Sequence, residues 1–311
     1  MKILVMGSGA VGGYFGSVLH SSGNDVRFVA RGEHLKAIRE RGMVVESVTS
    51  GNFTITPEAF ERPDGSWKAD MVLFTVKGYD NPVAIEIMKP AVGPGTAILT
   101  LQNGIGSGDA LGKAFGREKV LLGLTYVDAT RTGPGLILEE GGNCNVIFGE
   151  EDRSMSAKAI AVNEVLKAAK VNVTLSPNIM FELWKKLVYI CGLSGMTCVT
   201  RSPLKEILAV PMTLDVMREV MREAEAVARA KGIVFEDGYV QSIIAKWIAT
   251  GGKNTSSMYT DLLRGNPLEV EVLNGAVARI GREAGVPVLG NEFILACLLP
   301  QHKKAMAGRS K

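Results

Sequence analysis

The sequence predicts an α/β chain in two parts: a doubly wound parallel sheet with its helices, followed by an all-helical part. At 311 residues the chain has room for two domains of ~150 residues each. Its first half alternates short runs rich in Val, Ile and Leu with helix-length segments, which is the βαβ pattern. Its second half shows helical spacing of apolar residues, with glycines where helices are expected to end.

Five apolar runs of the first half predict strands that are buried on both faces. They are Ile3–Met6, Val26–Ala30, Met71–Val76, Ile98–Leu101 and Val120–Tyr126. The predicted crossover helices are Gly12–His20, His34–Arg41, Pro82–Lys89 and Gly108–Phe115. Two further segments, Gly135–Glu139 and Cys144–Phe148, predict an antiparallel hairpin.

Six later segments have helical spacing. They are Asp152–Ala169, Asn178–Val199, Leu214–Ala230, Asp237–Ile248, Ser256–Leu263 and Glu269–Ala284. We place the domain boundary after residue 174, so the predicted domains span residues 1–174 and 175–311.

The composition excludes several classes of protein. Apolar residues make up 46% of the chain and charged residues 22%, which is the balance of a globular protein. The net charge is 35 − 32 = +3 without a run of like charges, so we expect no nucleic acid partner. The longest apolar stretch, Leu187 to Val199, is too short to span a bilayer. The four cysteines form no Cys-x-x-Cys motif, and we expect free thiols in a cytoplasmic protein.

The three histidines are scattered along the chain. His20 and His34 fall in regions expected to bind a nucleotide, and His302 falls in a polar tail. None is spaced to pair with another metal ligand or with a nucleophile. We therefore expect no metal site and no serine or cysteine hydrolase.

The first predicted strand ends in a glycine motif from which a helix begins. The motif reads Gly7, Ser8, Gly9, Ala10, Val11 and Gly12. Gly7 permits a tight turn, Gly9 allows a pyrophosphate to approach the backbone, and Gly12 allows close helix–strand packing. Free N–H groups at the helix start then attract phosphate. This context favours a Rossmann-like dinucleotide-binding domain over a chance glycine turn.

Arg31 follows the second predicted strand, where an NAD site usually has an acidic residue. A guanidinium pairs with a 2′-phosphate, so NADP(H) is favoured over NAD(H). Glu33 is close enough in sequence to serve as the acidic residue instead.

Lys77 and Asn103 follow the third and fourth predicted strands. Strand ends at this edge are ligand positions in such sheets, so both are candidates for contacts with cofactor or substrate. The alternative is that Lys77 is an exposed loop residue and that Asn103 serves an Asn-Gly turn.

Lys186 shares one helical face with Ile190 and Ser194 in an otherwise apolar segment. Burial of a lysine is unfavourable unless it has a partner or a role. The alternative is that one of the adjacent lysines extends to water. Because no histidine is placed for acid–base work, Lys186 is the leading proton donor by elimination. Glu269 opens a predicted helix, where an acidic side chain often complements the helix dipole.

Together these residues resemble the ketopantoate reductase (2-dehydropantoate 2-reductase) family over nearly the whole chain. The resemblance rests on the following ordered set: Gly7–Gly12 with Arg31, Thr-Val-Lys at 75–77, Leu-Gln-Asn-Gly-Ile-Gly at 101–106, Trp-x-Lys-Leu at 184–187, Asn254 with Ser256, Ser257, Met258 and Asp261, Glu269, and Asn274 and Gly275 followed by Gly-Val-Pro at 285–287.

The resemblance implies a Rossmann domain joined to a helical domain of the 6-phosphogluconate dehydrogenase C-terminal type. It implies NADPH-dependent reduction of ketopantoate to pantoate, in the route to pantothenate and coenzyme A. Lys186 matches the general acid and Glu269 the partner of a substrate hydroxyl. Lys77 and Asn103 match residues near the nicotinamide, and Asn254 and Ser257 match substrate contacts. A homodimer is possible by analogy.

Two positions depart from the family pattern. The family commonly has Asn four and eight residues after the catalytic lysine, and this chain has Ile190 and Ser194. We assign Ser194 to substrate binding as well. A paralogous reductase of a bulkier or more apolar 2-keto acid is the first alternative, and a non-catalytic NADP(H)-binding regulator is the second.

Overall fold

The computed structural model describes residues 1–254 and 256–309. The chain divides into two compact units. Unit 1 comprises Met1–Gln102 and Ser107–Ile179, and unit 2 comprises Asn103–Gly106 and Met180–Lys311. The boundary predicted after residue 174 lies inside the last strand of unit 1.

Unit 1 is built on an eight-stranded sheet with the order β12-β11-β8-β7-β6-β1-β2-β5. Its strands are β1 (Lys2–Met6), β2 (Asp25–Val29), β5 (Glu58–Phe60), β6 (Ala69–Phe74), β7 (Val92–Thr100), β8 (Val120–Tyr126), β11 (Asn145–Gly149) and β12 (Asn172–Leu175). All neighbours pair in parallel except β8 and β11, which are antiparallel. The predicted α/β fold is confirmed, because the central strands are buried on both faces as the apolar runs indicated.

Five α-helices belong to unit 1. They are α1 (Ala10–Ser21), α2 (Gly32–Arg41), α3 (Asn81–Met88), α4 (Ser107–Phe115) and α5 (Ala157–Ala168). Helix α1 connects β1 to β2, and α2 follows β2, so the starts of both helices lie at the carboxyl edge of the sheet.

Unit 1 also contains a four-stranded sheet with the order β4-β3-β10-β9, which the sequence did not indicate. Its strands are β3 (Met43–Ser47), β4 (Phe53–Ile55), β9 (Ala129–Gly133) and β10 (Leu136–Glu139). The hairpin predicted from 135–139 and 144–148 is therefore wrong. Strand β10 pairs with β3 and β9, whereas β11 pairs with β8 and β12.

The side chain of Glu139 explains this pairing. Its buried carboxylate accepts hydrogen bonds from the hydroxyls of Ser47 and Thr49 and from the N–H of Gly141. Burial raises the pKa of Glu139, but these donors outweigh burial and hold the pKa below its usual value. The end of β10 is thus joined to β3, and the Gly141 N–H is engaged by this carboxylate.

Unit 2 is helical, as the sequence predicted, and its helices enclose one apolar core. They are α6 (Ile179–Thr200), α7 (Leu204–Ala209), α8 (Pro211–Ala230), α9 (Tyr239–Ala249), α10 (Ser257–Leu263), α11 (Asn274–Ala284) and α12 (Leu289–Arg309). Among the described residues no helix is long and apolar enough to cross a membrane.

Two expectations about unit 2 are wrong. The helix predicted to start at Glu269 starts at Asn274, because residues 269–273 form turns closed by bonds such as Val272 N–H to Glu269 O. His302 lies in α12 rather than in a polar tail, and only 4% of its surface is exposed. Ile294, Leu298 and His302 recur every four residues and form a buried face of that helix.

Candidate active site

The glycine motif forms a tight loop between β1 and α1. Gly7 has φ +106°, and a Cβ on Gly12 would lie 2.1 Å from the Gly7 carbonyl oxygen. A Cβ on Gly9 would meet nothing within 4 Å, so the backbone is open there. Gly9 caps α1 without a side-chain hydrogen bond. An open backbone with free N–H groups at a helix start fits the pyrophosphate of a dinucleotide.

His34 holds this loop in place, a role that the sequence analysis missed. Its Nε2 lies 2.7 Å from the carbonyl oxygen of Ser8, and the N–H of Gly135 donates to its Nδ1 over 2.9 Å. Because Nδ1 accepts, the ring proton lies on Nε2 and is donated to Ser8. Burial lowers the pKa of His34, and the nearby charge of Arg131 lowers it further, against the bond to Ser8. The ring is therefore a neutral brace between the cofactor loop and the turn that precedes β10.

Arg31 lies at the carboxyl end of β2 and caps α2 through its backbone. Its side chain is 70% exposed, and its guanidinium lies 3.7 Å from the carboxylate of Asp80. Glu33 occupies the first turn of α2. Arg31 and Glu33, the two residues considered for the choice between NADP(H) and NAD(H), thus lie at the carboxyl edge of the sheet, where the adenosine ribose is expected.

Lys77 follows β6 and is partly buried. The residue before it is fixed by Gln102, whose amide donates to the carbonyl oxygen of Val76 over 2.6 Å. The same amide donates to Asn81, which donates in turn to Ser107. This buried amide network sets the backbone from which Lys77 extends, and Gln102 was not singled out from the sequence.

The segment that carries Asn103 lies against the turn that carries Glu269. Gly104 has φ +83°, and a Cβ there would lie 2.1 Å from the carbonyl oxygen of Val272. The Ile105 N–H donates to that same oxygen, and the Val272 N–H donates to Glu269 O. Only glycine permits this approach, so the Asn-Gly pair has a packing role in unit 2.

Lys186 and Glu269 interact electrostatically inside unit 2. Glu269 is 4% exposed, and Lys186 belongs to α6. Burial lowers the pKa of Lys186 to about 8, against the charge of Glu269, which raises it. Lys185 instead pairs with Glu182 at 3.3 Å. The structure thus distinguishes the two adjacent lysines and gives Lys186 a pKa suited to proton transfer near neutral pH.

His302 braces the turn that presents Glu269. The N–H of Leu268 donates to its Nδ1 over 3.0 Å, and its Nε2 lies 3.4 Å from a carboxylate oxygen of Glu271. Leu268 and Glu271, which lie on either side of Glu269 in the chain, therefore both contact one ring of α12. No local sequence pattern predicts this contact, because the partners lie 34 residues apart.

Asn254 and Ser256, which precede α10 in the chain, are both hydrogen-bonded to side chains of α6. The Asn254 amide donates to the hydroxyl of Tyr189 over 3.0 Å, and the Ser256 hydroxyl donates to the Ser194 hydroxyl over 2.7 Å. Ser256 also caps α10 by accepting from the N–H of Tyr259. Ser194 is 1% exposed. Thus Asn254 is positioned by α6, and Ser194 contacts the loop through Ser256.

Ser257 begins α10 and is exposed, and Ile190 is partly buried one helical turn after Lys186.

No group of three or more His, Cys, Asp or Glu side chains that could hold a metal ion occurs in the described part of the chain. The structure brings Lys186 together with Glu269 in unit 2, and the glycine loop together with Arg31 in unit 1.

Two family models match the chain. The model described as ketopantoate reductase PanE/ApbA matches residues 3–153, and the model described as ketopantoate reductase PanE/ApbA C terminal matches residues 178–301. The matched ranges contain every site residue that the sequence predicted.

Known proteins are similar over nearly the full length. A 2-dehydropantoate 2-reductase of Archaeoglobus fulgidus is 31% identical over 295 residues, which is 94% of this chain and 95% of that protein. A PanE/ApbA family ketopantoate reductase from Ralstonia eutropha JMP134 has 31% identity and a TM-score of 0.89, covering 98% of this chain and 100% of that one. D-mandelate dehydrogenase with NADH and anilino(oxo)acetate has 23% identity and a TM-score of 0.88, covering 98% and 99%, and shows the same fold. The chain belongs to the ketopantoate reductase family, and it is an oxidoreductase that uses a nicotinamide dinucleotide.

Proposed function

We propose that this protein reduces 2-dehydropantoate (ketopantoate) to pantoate with NADPH, as a step of pantothenate and coenzyme A biosynthesis. The observation that carries the proposal is the pairing of Lys186 with the buried carboxylate of Glu269 in unit 2. A partly buried lysine with a pKa of about 8 is a proton donor at neutral pH. Reduction of a ketone needs such a donor for the oxygen that becomes a hydroxyl.

The cofactor would be held by the glycine loop and the neighbouring strand ends. Residues 7–12 would bind the pyrophosphate, Arg31 the 2′-phosphate, and Lys77 and Asn103 the nicotinamide end. When bound, NADPH supplies the hydride for the 2-keto carbon. The exposed guanidinium of Arg31 supports the choice of NADP(H).

Lys186 would donate its proton to the substrate's keto oxygen. The charge of Glu269 raises the pKa of Lys186 and so helps keep the partly buried lysine protonated. Glu269 would also accept a hydrogen bond from a substrate hydroxyl. Loss of either group would remove an interaction made at the reacting atoms.

Asn254 and Ser257 would bind the rest of the substrate directly, and Ser194 would support them indirectly. Asn254 and Ser257 are exposed, and the amide of Asn254 is oriented by the Tyr189 hydroxyl. Ser257 would donate its hydroxyl to the substrate carboxylate. Ser194 would act through its bond to Ser256.

A paralogous substrate is the second candidate, and Ile190 is the observation that favours it. This partly buried apolar side chain follows Lys186 by one helical turn, where the family commonly has an amide. Loss of a buried hydrogen bond lowers discrimination for a polar substrate about ten- to hundredfold. A bulkier or more apolar 2-keto acid would fit an apolar group better than ketopantoate.

A steady-state assay of NADPH oxidation tests the proposal, with ketopantoate beside a panel of larger 2-keto acids. We expect the highest kcat/KM for ketopantoate, and Lys186→Ala provides the matched inactive control. A higher kcat/KM for a larger keto acid would establish the paralogous activity. NADPH binding without turnover of any keto acid would establish a regulator instead.

A further inference from the structure

A cavity of about 400 Å³ opens beside Arg31 in unit 1. One wall is the start of α2, with Arg31, Glu33 and His34. The other wall is the end of β9 and the turn after it, which contribute Arg131 and residues 132–134. The cavity therefore lies between the carboxyl end of β2 and the four-stranded sheet.

Arg131 is held at this cavity by the backbone around it. It pairs with Ile137 in the antiparallel β9–β10 ladder, and its side chain is exposed. The turn that follows is fixed to α2, because the Gly135 N–H donates to His34. Arg131 and His34 both line the cavity, and the charge of Arg131 contributes to the lowered pKa of His34.

The charges of the lining explain why a second guanidinium is needed. Glu33 offsets the charge of Arg31 within the cavity, and Asp80 approaches the Arg31 guanidinium at 3.7 Å. Without Arg131 the charged side chains of the lining would sum to zero. With Arg131 the cavity is positive, as a phosphate monoester of charge close to −2 requires.

We infer that Arg131 is a second guanidinium contact for the 2′-phosphate of NADP(H), on the wall opposite Arg31, and thus determines cofactor specificity. This inference rests on the proposed use of NADPH. Two guanidinium groups on separate elements would bind the phosphate from two sides. The neutral ring of His34 does not compete with the phosphate for these groups, because its Nε2–H is donated to Ser8 and its Nδ1 accepts from Gly135.

Calorimetric binding of two fragments tests the inference without turnover. The fragments are 2′-phospho-ADP-ribose and ADP-ribose, which differ only in the 2′-phosphate. For Arg131→Gln we expect the Kd of the phosphorylated fragment to rise about tenfold, since a charge-assisted hydrogen bond is lost. The Kd of ADP-ribose should stay within about twofold, and Arg131→Lys should restore part of the loss. Arg62→Gln, which removes an exposed arginine of unit 1 outside the cavity lining, is the matched control.

The outcomes separate this inference from the proposed cofactor. If the wild-type protein binds both fragments equally, the choice of NADP(H) fails and the inference fails with it. If the wild-type protein prefers the phosphorylated fragment and Arg31→Gln removes that preference while Arg131→Gln retains it, the inference alone is overturned. Equal weakening of both fragments by Arg131→Gln would show a structural role and would also overturn it.

Discussion

His34 donates from Nε2 to the carbonyl oxygen of Ser8 over 2.7 Å, so a buried imidazole holds the loop expected to bind the cofactor pyrophosphate. We expect His34→Phe to raise the Kd of NADPH and of NADH alike, by about tenfold, because a buried hydrogen bond is lost beneath a loop common to both. His34→Gln keeps a donor at a similar reach and should lose less. Fluorescence titration with both cofactors measures this.

The lowered pKa of His34 predicts that the free energy of unfolding depends on pH. Its pKa is lowered from 6.5 in the folded protein, so the unfolded chain binds the proton more readily. Stability should therefore fall as the pH drops below about 6.5. Urea unfolding at a series of pH values should show a weaker acid dependence for His34→Phe than for the wild-type protein. An identical dependence in both proteins would contradict a neutral structural imidazole.

Lys186→Ala should reduce kcat by about a hundredfold or more and leave the Kd of NADPH unchanged, because only the proton donor is removed. Lys185→Ala is the matched control, since Lys185 forms an ion pair with Glu182 on the same helix. Rapid-mixing assays and cofactor titration give the two quantities. Equal turnover in both alanine variants would show that another group donates the proton.

The pH profile of reduction should report Lys186 directly. Because the lysine must be protonated to donate, kcat should fall above pH about 8. Glu269→Gln removes the charge that raises the pKa of Lys186, so the alkaline limb should move to lower pH. A limb that stays in place or moves upward in Glu269→Gln would argue against the electrostatic coupling of these two residues.

The bond between Ser256 and Ser194 should couple the substrate loop to α6. We expect Ser194→Ala and Ser256→Ala each to raise KM for the keto acid, because each loosens the start of α10. When the changes in KM are converted to free energies, the effect of the double variant should be smaller than the sum of the two single effects by about 1 kcal/mol. Ser242→Ala, on the exposed side of α9, is the control. Full additivity would mean that the two hydroxyls act independently.

Sequence patterns predicted the parts of the fold that depend on local order. The apolar runs identified the central strands, and the glycine motif identified the turn between β1 and α1. The pairing of strands was harder to predict, because β10 and β3 are joined by contacts such as that of Glu139 with Ser47, which are 92 residues apart in the sequence. A local pattern shows that a strand exists but not which strand it joins.

The candidate site divides in the same way. Lys186 was proposed from its place in an apolar stripe, which is a local signal, and from the lack of a suitable histidine. His302 was misplaced and Arg131 was not noticed, because each matters only through residues distant in the chain. Glu269 entered through resemblance alone, since its position in a non-helical turn has no periodic pattern.

Helix α6 carries Lys186 and both anchors of the substrate loop, Tyr189 and Ser194. A step of four residues advances about 6 Å along a helix, so Ile190 and Ser194 follow the lysine by about 6 and 12 Å. In the proposed function the substrate would lie along α6, with the proton donor at Lys186 and the residues that select the substrate side chain one and two steps of four residues further on. A change of substrate preference would then need substitutions at positions 190 and 194 alone, while Lys186 and Glu269 stay unchanged.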